Sequence, residues 1–184
     1  MIHTLNVGLM GLFVWFGGVA APGIDFPSQA PIVIPVQHSV LLTGYNALPE
    51  QSDDDPDITA SGAFSNPQII VARSRDLAEE LPFGTIVSFE APETVPHSCG
   101  FYEVEHLIGY RVVADVLHKR KIQQLDILFD QTDRVYLKDK AINPALAIGL
   151  CDVTIRVVGK VAMKDIPKSQ AELAMLVSPL IAHR

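Results

Sequence analysis

The sequence predicts a mainly β protein, a small closed or half-closed barrel of six to seven short strands with short helical turns. Three observations carry this. Short apolar runs recur along the chain, each bounded by polar or turn-forming residues, as strands are and long helices are not. The 13 prolines and 12 glycines are spread through the 184 residues, punctuating them too often for extended helices. The hydrophobic share, 48%, supplies a sizeable core, and closing the sheet buries such strands without leaving long exposed edges.

Taken in order, residues 1–21 carry no Lys, Arg, Asp or Glu and are nearly all apolar or glycine from Leu5 onward. That composition reads as a secretory signal peptide, with small residues at Gly18-Val19-Ala20-Ala21 for cleavage, or as a short uncleaved membrane anchor. A buried core helix is the plainer alternative. Residues 22–36 are Pro-rich and read as an extended linker. The domain is expected over residues 37–160, opening with a strand at 37–45. The polar loop 46–62 follows; its Asp53, Asp54, Asp55 and Asp57 lack the spacing of a calcium loop, so a solvated loop is expected. Residues 68–72 read as a buried strand, and 74–80 as a helical turn with Ser74 as N-cap. Strands are expected at 85–89 and, from its alternation, at 101–105, separated by an irregular loop at 91–99. Strands at 111–114 and 125–129 come next, then a short helix or turn over 130–140 and a closing strand at 151–158. Residues 161–184 form a tail with one helical stretch at 169–176.

The stretch 108–129 stands out within this order. It places Asp115 at the end of one apolar run and Asp126 between Leu125 and Ile127 in the next. A carboxylate among apolar residues costs several kcal/mol unless paired or hydrogen-bonded. Such groups suit acid–base chemistry, although two turn aspartates accepting backbone N–H bonds would look the same in sequence. Cys99 and Cys151, in an exported chain, are most simply a disulfide closing a loop of about fifty residues around both aspartates. They lack CxxC spacing, so a metal site is the weaker reading. The net charge of −7 argues against a sequence-independent grip on nucleic acid.

Four segments occur in an order that resembles a known family. They are Thr43-Gly44-Tyr45-Asn46-Ala47, then Thr59-Ala60-Ser61-Gly62. Val71-Ala72-Arg73-Ser74-Arg75-Asp76 with Leu81-Pro82-Phe83-Gly84-Thr85 forms the third. Val113-Ala114-Asp115 with Leu125-Asp126-Ile127 forms the fourth. Over residues 40–159 the chain resembles the 3D (three-aspartate) domain family, related to the catalytic barrel of MltA-type lytic transglycosylases and to stationary-phase survival proteins. Two departures stand beside the match. Gly44 replaces the family's usual alanine, and Val116-Leu117-His118 replaces its Gly- or Asn-bearing turn.

The resemblance implies a double-psi β-barrel and cleavage of the MurNAc–GlcNAc bonds of peptidoglycan in the periplasm or cell envelope. It implies that Asp126 is the general acid/base and Asp115 its neighbour in the same cleft, with Tyr45 and Thr59 lining the groove. The third aspartate is Asp76, or its place is taken by Ser74. His118 and the basic residues after it would meet carboxylates of the substrate, a solvated charged turn being the equal alternative. No cofactor or metal is implied, because one carboxyl group can serve both proton transfers. The partner is then a peptidoglycan glycan strand and no nucleic acid, with membrane association arising only through the N-terminal segment. A non-catalytic glycan-binding module on the same barrel is the alternative function, and a purely structural envelope protein a third.

Overall fold

The computed structural model describes residues 36–48, 55–92, 94 and 96–182. The N-terminal segment, the proline-rich linker up to residue 35, Asp53 and Asp54 lie outside the described residues. Six strands close into a barrel in the order β1-β5-β2-β4-β3-β8. They are β1 (Gln37–Asn46), β2 (Ile70–Arg73), β3 (Thr85–Glu90), β4 (Arg111–Val116), β5 (Gln124–Phe129) and β8 (Cys151–Lys160). Two ladders are parallel, β1 with β5 and β2 with β4, and the other four are antiparallel.

Alternation sorts the strand residues into two cores. Leu42, Val71, Val87, Val113, Leu125, Ile127 and Ile155 come from all six strands and fill the barrel. Ile70, Ile86, Val112, Ala114, Leu128 and Val158 point outward and are covered by Leu173 and Val177. Those two belong to α3 (Gln170–Ala182), so the chain's last segment is a packed element. Its start is fixed by Ser169 Oγ, which accepts from Glu172 N–H, and by the Glu172 carboxylate, which accepts from Lys168 N–H.

Three local expectations are corrected. Residues 101–105 are helical, within α1 (Phe101–Ile108). Phe101, Val104 and Ile108 are its buried residues, a spacing of three and four, and the apparent alternation of a five-residue window concealed it. Over residues 130–140 the expected alternative of a turn holds and that of a helix does not, and two strands were missed. A hairpin, β6 (Val135–Leu137) and β7 (Lys140–Ile142), turns through Lys138 and Asp139 at φ of 49° and 64°. Ser74 precedes the 3₁₀ turn Arg75–Ala78 but makes no side-chain cap bond there.

Cys99 and Cys151 are disulfide-bonded, with Cα atoms 4.8 Å apart across 52 residues. The bridge joins the segment leading into α1 to the first residue of β8. In the chain-entropy account a loop of this size contributes about 4 kcal/mol. Near the other end of β4, Arg111 is only 1% exposed. Its guanidinium donates to the carbonyls of Ile108 (2.7 Å), Leu107 (2.6 Å), Pro67 (2.5 Å), Leu128 (3.1 Å) and Ile70 (3.4 Å). It also lies over the Phe129 ring at 5.8 Å. One side chain therefore ties α1, β2 and β5 together. Gly44 is dictated by α2 (Pro144–Ala147), which sits against β1: a Cβ there would lie 3.0 Å from the Ala145 Cα and 2.9 Å from the Phe129 ring.

Candidate functional site

β2 runs between β4 and β5, and Ala72 is the Cα partner of both Asp115 and Asp126. Paired residues project to the same face of a sheet. Val71 points into the barrel, so Ala72 and the two aspartates point out of it. Asp126 reaches that face by simple alternation between the interior residues Leu125 and Ile127. Asp115 does not. Counting from the interior residue Val113, it would fall inside the barrel. The register of β2 on β4 shifts between Val71 and Ala72, so that Val113 pairs with Val71 and Asp115 with Ala72. The extra residue on β4 is a bulge, and it turns Asp115 outward beside Ala72. Two strand spacings separate the aspartates, about 10 Å between Cα atoms.

The Asp115 carboxylate is fully engaged. Oδ2 accepts from the Tyr45 hydroxyl at 2.9 Å, and Oδ1 accepts from the N–H groups of Ala60 (3.0 Å) and Val116 (2.9 Å). Burial pushes the Tyr45 phenol well above its ordinary value, and the charge and hydrogen bond of Asp115 add to this. Tyr45 therefore keeps its proton and remains a donor. Asp126 is held through one oxygen only. Its Oδ1 accepts from the Thr43 hydroxyl and from Gln124 Nε2, the latter at 2.7 Å. The same Nε2 donates to Thr43 Oγ1 at 2.8 Å, and Gln124 is 3% exposed. Oδ2 of Asp126 makes no hydrogen bond within the described residues.

Both aspartates and Tyr45 line one cleft of about 430 Å³. Pro56, Ile58, Ala60 and Ser65 form one wall, and Arg75, Val116, Leu117, His118 and Lys121 contribute the other end. His118 thus lies in the cleft with Asp115, Asp126 and Tyr45. Thr59 is 5% exposed and is not among the lining residues. Its hydroxyl bonds Ser61 Oγ and the Ala63 carbonyl, shaping the turn that presents Ala60 N–H to Asp115.

Asp76 lies outside the lining as well. Its Oδ2 accepts from Gln123 N–H and Gln123 Nε2, both at 2.9 Å. Desolvation pushes its carboxyl up, but the hydrogen bonds from Ser74 and Gln123 together outweigh it and hold the group below the usual range. Ser74 is fully buried, and its Oγ accepts from Gln124 N–H at 3.1 Å. Ser74 and Asp76 thus both secure the entry to β5, next to the residue that holds Asp126.

No family model and no curated protein matches this chain. Three of its members escaped the sequence reading: Thr43, Gln124 and Ala60. Gln124 carried a usable signal, since a residue two positions before Asp126 on a strand shares its face. Thr43 and Ala60 become neighbours of the aspartates only through strand pairing and the docking of a loop.

Among the described residues, no group of three or more His, Cys, Asp or Glu side chains could hold a metal ion. What the cleft offers is one carboxylate with a free oxygen, a second fixed by three donors, a protonated phenol, and cationic side chains at one end.

Proposed function

We propose that this protein is an exported peptidoglycan-cleaving enzyme of the lytic transglycosylase kind, acting on MurNAc–GlcNAc strands through Asp126. The observation that carries the reading is the unequal treatment of two carboxyl groups on one open face. Asp115 accepts three hydrogen bonds, which fix its carboxyl group in a position suited to facing an anomeric carbon. Asp126 is oriented through one oxygen, and among the described residues nothing bonds the other, which is left for a substrate atom.

In the proposed reaction Asp126, as the acid, protonates the glycosidic oxygen while the bond to the MurNAc anomeric carbon breaks. The MurNAc 6-hydroxyl then closes on that carbon and gives its proton to the Asp126 carboxylate, restoring the acid. No water is consumed, so no second carboxylate is needed to activate one. Tyr45, proton in place, holds Asp115 and lines the cleft beside it.

The order of segments that resembles the 3D family supports this reading. So does the threading of the barrel. β2 lies between the antiparallel β4 and β5, and β1 between β5 and β8, an arrangement in keeping with a double-psi barrel. The disulfide is compatible with an oxidising compartment and so with export.

Incubating the protein with purified sacculi tests the proposal. Release of 1,6-anhydro-muropeptides that disappears in Asp126→Asn is the expected result. Binding that survives this substitution, with no product from either protein, would instead establish the glycan-binding module. Neither binding nor product would leave only a structural role.

A further inference from the structure

We infer that the end of the cleft formed by Arg75, His118 and Lys121 is a subsite for a carboxylate carried by the glycan, so that the protein selects strands bearing acidic substituents over neutral ones. The inference rests on the reading of the cleft as a glycan site.

Its first support is placement. Arg75 follows β2 directly, and His118 and Lys121 lie on the turn after β4. Because β2 and β4 are parallel, their exits fall at the same end of the barrel. The two segments are joined there: Leu117 N–H donates to the Arg73 carbonyl at 2.9 Å, and Gln123 is bonded to Asp76. Arg75, His118 and Lys121 all line the cleft that holds Asp115 and Asp126.

The second support is charge. The chain carries a net −7, yet neither Arg75 nor Lys121 has a carboxylate within ion-pair distance among the described residues; the ion pair there is Arg156–Glu90. Asp76, the sequence neighbour of Arg75, has its Oδ2 occupied by both N–H donors of Gln123. His118 Nδ1 accepts from Arg120 N–H at 3.3 Å, which places the proton on Nε2, a donor. Two cations with no ion-pair partner among the described residues, and a directed N–H, thus stand at one end of a cleft that also holds Asp115 and Asp126.

The third support is what the two ends of the cleft do to an anionic ligand. A carboxylate placed over the acceptor oxygens of Asp115 would meet no donor left free to bind it, and one at the far end would be attracted. This polarity fixes direction: a glycan with carboxylates on one side binds in the register that keeps them at the Arg75–Lys121 end. The local sequence is also where the chain departs from the family it resembles, Val116-Leu117-His118 standing for a small turn, so the preference belongs to this chain.

The shared chemistry is a carboxylate on a sugar. It comes either from a peptide stem on the lactyl group or from a uronic acid, and the two are separated by the choice of probe. Titration calorimetry on the full chain would compare three ligands: a tetrasaccharide of peptidoglycan with its peptide stems, the same tetrasaccharide stripped of them by an amidase and with the lactyl carboxylates so exposed capped as neutral amides, and a tetramer of a uronic acid.

The expected result is about tenfold tighter binding of the peptide-bearing form than of the stripped form at low salt, falling toward parity as salt rises. In the double variant Arg75→Gln, Lys121→Gln the ratio should drop to near one. Both positions are exposed, so folding should be retained. Lys164→Gln, outside the cleft, should keep the ratio. Equal binding of peptide-bearing and stripped forms by the unaltered protein overturns the inference while leaving the glycan reading intact. Tight binding of the uronic acid tetramer alone supports the subsite and assigns the carboxylate to the sugar. No binding of any of the three overturns both.

Discussion

Gln124→Met isolates the arrangement that most directly bears on function. Gln124 Nε2 donates at once to Asp126 Oδ1 (2.7 Å) and to Thr43 Oγ1 (2.8 Å), from a residue that is 3% exposed. Methionine has the same reach and no donor, so packing is largely preserved while both bonds go. A hydrogen bond to a charged group is worth about 1.5–3 kcal/mol and one to a hydroxyl about 0.5–1.5 kcal/mol. Two effects reduce the sum. Thr43 still donates to Asp126 Oδ1, and a buried thioether needs no hydrogen bonds where an amide does. The net destabilisation should be about 2 kcal/mol, read from urea unfolding at pH 7. Freed from one of its two tethers, Asp126 should populate more than one rotamer, and anhydro-muropeptide release should fall about 10- to 100-fold, each tenfold step being about 1.4 kcal/mol. A variant as stable as the parent within about 0.5 kcal/mol, with turnover within about twofold, would refute the claim that Gln124 orients Asp126.

Arg111→Met should cost about 3–5 kcal/mol in unfolding experiments, because it strips the donor from five carbonyls inside the structure. Burial lowers the Arg111 pKa to about 9, so at neutral pH these carbonyls face a full positive charge. Gly44→Ala should destabilise by about 1–3 kcal/mol, since the new methyl would press on the Ala145 backbone and the Phe129 ring; an unchanged midpoint would show that α2 yields freely. Tyr45→Phe tests the raised phenol pKa. Above about pH 10 the unfolded chain ionises this tyrosine while the folded protein keeps it protonated, so stability should fall as pH rises from there toward the folded pKa. The phenylalanine variant should lose that part of the slope, read from urea unfolding at each pH.

The barrel was legible because its strands are short, apolar and separated by turn residues, and because alternation marks one buried face. Leu125 and Ile127 were legible as core, but Asp126 between them reads in sequence as a carboxylate set among apolar residues, and strand pairing is what places it on the barrel's outer face. Asp115 was a different matter. Its orientation follows from a bulge, and a bulge is a property of two paired strands that neither sequence displays alone. The hairpin at 135–142 was hidden for a similar reason, since its turn uses Lys138 and Asp139 at positive φ where Asn-Gly would have announced it. Arg111 sat at the head of an apolar run and could have been a surface cap; only the convergence of five carbonyls reveals it as a tie. The aspartates were thus legible as residues, and their division of labour was not, because it depends on Tyr45, Ala60 and Gln124 arriving from three other segments.

The separation of the two aspartates along the chain can now be given a physical cause. β4 and β5 do not pair with each other; they flank β2, one parallel to it and one antiparallel. The connection between them, residues 117–123, must therefore cross the exit of β2 and cover two strand spacings, about 10 Å, before turning back. A tight hairpin cannot do this. The crossing is bolted to the β2 exit by four bonds: Leu117 N–H to the Arg73 carbonyl, Ser74 N–H to the Gln124 carbonyl, Gln124 N–H to Ser74 Oγ, and Gln123 N–H to Asp76. Gln123, at φ 49°, supplies the reversal. The same crossing carries His118 and Lys121 over the cleft and delivers Gln124 to its place beside Thr43. A single connection thus sets the distance between the carboxylates, orients one of them and builds the cationic end. Shortening it by one residue should therefore disturb Asp126 before the barrel itself, since the residues that fill the barrel lie on the strands and not on the crossing.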